Sequence, residues 1–100
     1  MSLIVAGTFR VPAENLEALS PHMVAIVAAS RAEDGCLAYA YGRDLDDPGL
    51  IHVFEQWRDQ ACLDAHFATP HMAAWREARE PLGFHDRRLT RFEVGGQAEI

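Results

Sequence analysis

Cys36-Leu37-Ala38-Tyr39-Ala40-Tyr41-Gly42-Arg43, followed after six residues by Leu50-Ile51-His52-Val53-Phe54-Glu55-Gln56-Trp57-Arg58, reads as two strands. Both runs alternate, and both are rich in the aromatic and β-branched residues that fit a pleated surface. Between them Asp46-Asp47-Pro48-Gly49 places a proline where a turn wants a fixed φ and a glycine where it wants a positive one. The stretch predicts a β-hairpin.

The flanks change period. Downstream, Asp59 is positioned to cap a short helix over Gln60 to Ala68. Thr69 and Pro70 supply a second cap and a first-turn proline for a helix from His71 to about Glu80. Pro81 and Gly83 stop it, and His85 to Val94 reads as a last strand. Upstream, Leu3 to Val11 is a strand ended by Pro12. Leu16, Leu19, Met23, Ile26 and Val27 then recur at three- and four-residue steps, and Gly35 closes a long amphipathic helix. Pro21 lies inside it, so a kink or a restart capped by Ser20 is expected.

The order is β-α-β-β-α-β, an α+β, ferredoxin-like (split βαβ) arrangement with an antiparallel sheet and both helices on one face. A single domain over residues 1–100 is expected, with its core at about 3–94 and a frayed tail at 95–100. Phe9, Tyr39, Tyr41, Phe54, Trp57 and Phe92 all fall on strands, and alternation prevents them all from facing the helices. The uncovered aromatic surface points to a homodimer formed face to face.

Composition narrows the chemistry. Hydrophobic residues make up 49% and charged residues 24%, which excludes disordered and disulfide-dense classes. All nine basic residues are arginine, so lysine nucleophiles and Schiff bases are excluded. A net charge of −6 argues against nucleic acid, and the one basic cluster, Arg87, Arg88 and Arg91, is interleaved with Asp86 and Glu93. No apolar run approaches a membrane span and no secretory leader pattern opens the chain, so a cytoplasmic protein is expected. Cys36 and Cys62 are too far apart for a zinc or redox motif, although Cys62 falls in the first turn of a predicted helix. Ser2, Ser20 and Ser30 sit in no nucleophile elbow, and no glycine-rich phosphate loop occurs.

Histidine is left as the working group. His22 falls on the first helix beside Met23, where a surface or packing role is expected, and His85 opens the last strand as a solvent-exposed position. His52 shares a strand face with Phe54 and is a candidate interior group. His66 and His71 bracket the Thr69-Pro70 break at an i,i+5 spacing that does not suit a helical zinc pair. His71 and Trp75 begin a stripe along the next helix. Glu55 and Trp57 share parity, and a carboxylate on an apolar face calls for an arginine or backbone partner. Arg76 is placed either to clamp an anionic ligand or to pair with Glu80 on the surface. A small apolar cavity with histidines and aromatics suits a hydrophobic small molecule.

Glu33-Asp34-Gly35-Cys36-Leu37, Phe54-Glu55-Gln56-Trp57-Arg58-Asp59, Leu63-Asp64-Ala65-His66-Phe67 and Thr69-Pro70-His71-Met72 resemble the antibiotic biosynthesis monooxygenase family, including its quinol monooxygenases. The resemblance covers Leu3 to Val94. It implies a dimeric α+β barrel of ferredoxin-like protomers and oxygenation of an electron-rich polycyclic phenol or quinol by O2, with no flavin, metal or haem. Removing a phenolic proton leaves an anion able to reduce O2, so the protein need only deprotonate, orient and exclude water. The histidine matching the family pattern is His66, expected as the base, with His71, Trp57, Trp75, Tyr39, Tyr41, Phe54 and His52 as pocket residues. Haem-degrading relatives carry a first-strand asparagine and a helical histidine. Here Gly7 and Thr8 stand at the first place and Arg76 near the second, so haem degradation is disfavoured. The alternative is a non-catalytic ligand-binding or stress-response dimer, since a fold does not fix a function.

Overall fold

The computed structural model describes residues 1–100. Its strands are β1 (Leu3–Arg10), β2 (Cys36–Arg43), β3 (Leu50–Trp57) and β4 (His85–Glu93). Its helices are α1 (Leu16–Arg31), α2 (Gln60–Phe67) and α3 (Pro70–Arg79). The sheet runs β2-β3-β1-β4 and is antiparallel at every pairing. This is the split βαβ order expected from the sequence. No helix is long and apolar enough to cross a membrane.

The two short helices begin where their caps predict. The Asp59 carboxylate accepts from the Cys62 amide at 2.9 Å, and the Thr69 hydroxyl accepts from the Met72 amide at 3.2 Å. Each such cap contributes on the order of 1 kcal/mol. Of the two outcomes expected at Pro21, the restart does not occur. The first helix runs through Pro21 as one element, because Leu16 and Leu19 before the proline and Ile26 and Ser30 after it are all buried on one side. That packing outweighs the one backbone donor that proline lacks. Asn15 precedes the helix but does not cap it, since its amide donates to the Leu82 carbonyl at 2.8 Å.

Gly49 also departs from the expected turn geometry, because its φ is not positive. Close approach is what calls for glycine there: its carbonyl accepts from the Val11 amide at 3.1 Å, and a Cβ would lie 2.6 Å from the Val11 oxygen. Gly7 is tighter still. It pairs with Val53 on one side and Leu89 on the other, and a Cβ would lie 1.9 Å from the Arg88 carbonyl oxygen. Gly7→Ala must push β4 off β1, so it is expected to cost about 1–3 kcal/mol, read as a lower urea midpoint.

The sheet has two unlike faces. Leu3, Val5 and Phe9 of β1, Tyr39 of β2, and Ile51, Val53, Glu55 and Trp57 of β3 are buried. With Leu16, Leu19 and Ile26 of α1, Leu63 of α2, and Met72 and Trp75 of α3 they form the core between sheet and helices. The opposite face carries Ile4, Ala6, Ala38, Ala40, Phe54 and Phe92, and no element covers it. Phe54 and Phe92 are 42% and 51% exposed.

Candidate functional site

The Thr69 cap and Pro70 reverse the chain between α2 and α3, which brings His66 and His71 around a single carboxylate. Oε2 of Glu33, in the loop after α1, lies 2.6 Å from His66 Nδ1 and 2.8 Å from His71 Nε2. An ionised carboxylate only accepts, so both nitrogens donate. His66 is thereby held in the tautomer whose Nε2 is bare, with no hydrogen bond to the protein.

His66 is 1% exposed. Its ring lies 4.7 Å from Trp57, 5.4 Å from Tyr39 and 5.6 Å from Phe67, centroid to centroid. Burial pushes the imidazole below its ordinary value, and the opposing pull of Glu33 is the smaller effect. His66 is neutral at pH 7, the state a base requires. The neutral form is favoured in the folded chain, so the contribution of His66 to stability is present above its unfolded pKa of about 6.5 and is lost as pH falls below it. An NMR titration should place its midpoint below the 6.5 of an ordinary imidazole. Glu33→Gln should move it further down, because the group that raises it is gone; an upward move contradicts the assignment.

His66 is one wall of a small, partly open cavity between the sheet and the helices. Tyr39, Tyr41, Val53 and Glu55 line it from the sheet, Phe67, Trp75 and Arg79 from the helices, and Phe84 and Arg87 from the last connection and strand. Its free volume of about 20 Å³ holds a single water. The Tyr39 and Tyr41 hydroxyls are 3.2 Å apart, and burial pushes both phenols up, Tyr41 to about 12. Arg79 is half-buried with no carboxylate in ion-pair range, and its guanidinium sits 3.9 Å over Phe84 and 5.6 Å from Trp75. Glu55 is 5% exposed, and burial raises its carboxyl above the ordinary value. Its expected arginine or backbone partner is instead the Trp57 indole, which donates to Oε1 at 2.9 Å.

Of the expected site residues, the structure gathers His66, His71, Trp57 and Tyr39 around Glu33 and the cavity, with Tyr41 and Trp75 on its walls. Trp57 stands behind His66, and His71 reaches Glu33 from a half-exposed position outside the cavity. His52 and Phe54 are on the other face of the sheet. They alternate with the apolar positions Ile51 and Val53, and the helices cover that apolar set. His52 instead bonds Asp44 at 2.8 Å, which with two backbone amides holds that carboxyl at about 2. Arg76 does not pair with Glu80; it donates to the Phe67 carbonyl at 2.8 Å and ties α2 to α3. The Cys62 thiol is pushed up chiefly by Asp59, so the helix start does not activate it.

Glu33, Arg79, Arg87 and Phe84 carry parts of the site that the sequence reading did not assign. Arg79 follows Trp75 at i+4, a signal that was there to read. Glu33 has none, because it lies in a turn and its partner is 33 residues away. The donor atoms of Glu33, His66 and His71 lie within 4.8 Å of one another, the one set able to hold a divalent ion. Here two hydrogen bonds close the set as a proton-linked triad.

Comparison with known proteins bears on the fold and the family. The family model described as antibiotic biosynthesis monooxygenase matches residues 2–78. An uncharacterized protein of Synechocystis sp., sll1783, is 33% identical over 80 residues, covering 80% of this chain and 54% of that protein. The chain thus spans about half the length of that relative. The Escherichia coli (strain K12) protein described as "Probable quinol monooxygenase YgiN" is 36% identical over 70 residues, covering 62% of this chain and 67% of that protein. A Deinococcus radiodurans structure described as a candidate antibiotic biosynthesis monooxygenase superposes with a TM-score of 0.88 at 31% identity, covering 100% of this chain and 98% of that one. Matched along most of its length and superposable throughout, the chain belongs to the antibiotic biosynthesis monooxygenase family.

Proposed function

We propose that the chain is a monooxygenase that joins O2 to an electron-rich phenol or quinol without a resident metal, flavin or haem, with His66 as the base. The observation that carries this reading is the neutral, buried His66 held by Glu33 on the wall of an aromatic cavity. A substrate hydroxyl beside Nε2 loses its proton to the imidazole, and Glu33 stabilises the imidazolium that forms. The anion gives one electron to O2, and recombination of the two radicals makes a carbon–oxygen bond. Tyr39 and Tyr41 stay protonated as hydroxyl donors, while Arg79 and Arg87 place positive charge on the wall where the anion develops.

A ring cannot occupy about 20 Å³, so binding must displace part of the wall. Phe67, 39% exposed, and Arg87, also exposed, are its least enclosed members. The small volume of the cavity is also what favours the second reading, a non-catalytic ligand-binding dimer. Oxygen uptake separates the two. With 1,4-naphthohydroquinone under ¹⁸O2, the monooxygenase reading predicts uptake above autoxidation and hydroxynaphthoquinone carrying one labelled oxygen. Uptake equal to the protein-free rate supports the binding reading.

The uncovered sheet face belongs to the same proposal. Ile4, Ala40, Phe54 and Phe92 make an apolar surface that a second copy of the chain can cover. Light scattering should give twice the 11.1 kDa chain mass. Phe54→Asp combined with Phe92→Asp should give the single-chain mass with the helical signal retained.

A further inference from the structure

Glu55 is the buried titratable group of the cavity that the base reading leaves unused. It sits in the middle of the sheet, paired with Tyr39 of β2 and Val5 of β1, and its side chain lines the same cavity as His66. One indole orients both groups, since Trp57 lies against the His66 ring at 4.7 Å and donates its N–H to Glu55 Oε1 at 2.9 Å. That bond fixes the carboxyl plane and leaves Oε2 without a hydrogen bond to the protein.

We propose that Glu55 is a second catalytic residue, whose carboxyl group, aimed into the cavity opposite His66, donates the proton that turns the departing peroxide oxygen into water. The inference rests on the reading of His66 as the base. After the anion and O2 combine, the proton on His66 passes to the peroxide and gives a carbon-bound hydroperoxide. His66, neutral again, removes the hydrogen on that carbon as a proton, and the C–H electron pair becomes the second bond of a new C=O. The O–O bond breaks, the distal oxygen leaves as hydroxide, and the Glu55 proton makes it water. The proton then on His66 restores Glu55. In sum one quinol and one O2 give one hydroxyquinone and one water, with carbon losing the four electrons that O2 gains.

The surroundings suit a donor. Burial is the largest influence on the Glu55 carboxyl and favours its neutral form, against the smaller pulls of Trp57 and Arg87. The titratable and charged groups facing it across the cavity are Tyr39 and Tyr41 of β2, His66 of α2, Arg79 of α3 and Arg87 of β4, with Glu33 adding its charge from behind His66. His66 is poised to accept and Glu55 to donate, and the two do not duplicate each other.

Without the donor, a hydroperoxide has another exit, loss of hydrogen peroxide to leave the quinone. Glu55→Gln keeps an oxygen for the Trp57 N–H and removes only the acidic proton. With 1,4-naphthohydroquinone and O2, the wild type is expected to make hydroxynaphthoquinone and water. Glu55→Gln is expected to keep consuming oxygen but to shift the ratio of hydrogen peroxide to hydroxynaphthoquinone at least about tenfold, with an unchanged unfolding temperature. Addition of catalase, which returns half the oxygen consumed as peroxide, reads the shift directly. An unchanged product ratio and pH profile in Glu55→Gln overturns the role of Glu55 alone. If the wild type forms no hydroxynaphthoquinone, the base reading and this one fall together.

Discussion

His66→Gln should lower kcat/KM for quinol oxygenation by about 10²–10⁴-fold, the range associated with loss of a positioned base. The loss should sit in kcat/KM at neutral pH and shrink as pH rises. A variant without a base depends on the substrate's own ionisation, so approaching the pKa of the quinol restores the reactive anion. Wild type and variant should therefore converge at alkaline pH. A steady-state oxygen-uptake series from pH 6 to 10 checks both the size and the slope. A parallel loss at every pH would instead indicate damage to the cavity. Glu33→Gln should fall between the two, because it removes the positioning carboxylate and leaves the imidazole in place.

Trp57→Ala should destabilise the fold by about 3–5 kcal/mol. Its side chain is 0% exposed and touches both halves of the account. In the register it faces Leu3 of β1 and Cys36 of β2, and its ring meets Tyr39 at 6.3 Å and His66 at 4.7 Å. Truncation leaves a cavity and also strips Glu55 Oε1 of its only donor, an unmet acceptor worth about 1–3 kcal/mol. Domains of this size hold about 5–15 kcal/mol in all, so the variant should be partly unfolded at physiological temperature. Urea unfolding of Trp57→Ala against Trp57→Phe separates the causes, since phenylalanine keeps much of the ring volume but not the N–H.

Much of this arrangement was legible because its signals are local. The Asp59 and Thr69 caps, the alternation of β2 and β3, and the shared parity of Glu55 and Trp57 each involve residues a few positions apart. Alternation says which residues share a face but not which face the helices will cover. His52 and Phe54 were grouped with the pocket for that reason, and the more apolar set, Ile51, Val53 and Trp57, took the covered side. A restart was one of two outcomes open at Pro21 because local backbone chemistry disfavours proline there, whereas four buried side chains hold the helix together. Glu33 was quoted in a motif but given no task. Its bonds to His66 and His71 span 33 and 38 residues, a separation no spacing rule reaches.

The central claim is that this cavity deprotonates its ligand, and that can be observed before oxygen enters. Under anaerobic conditions at pH 7, a difference spectrum of 1,4-naphthohydroquinone bound to the wild-type chain should show the quinolate band. The same titration with His66→Gln should show the neutral quinol. Neutral quinol bound to the wild type, or quinolate bound equally to both, would contradict the account.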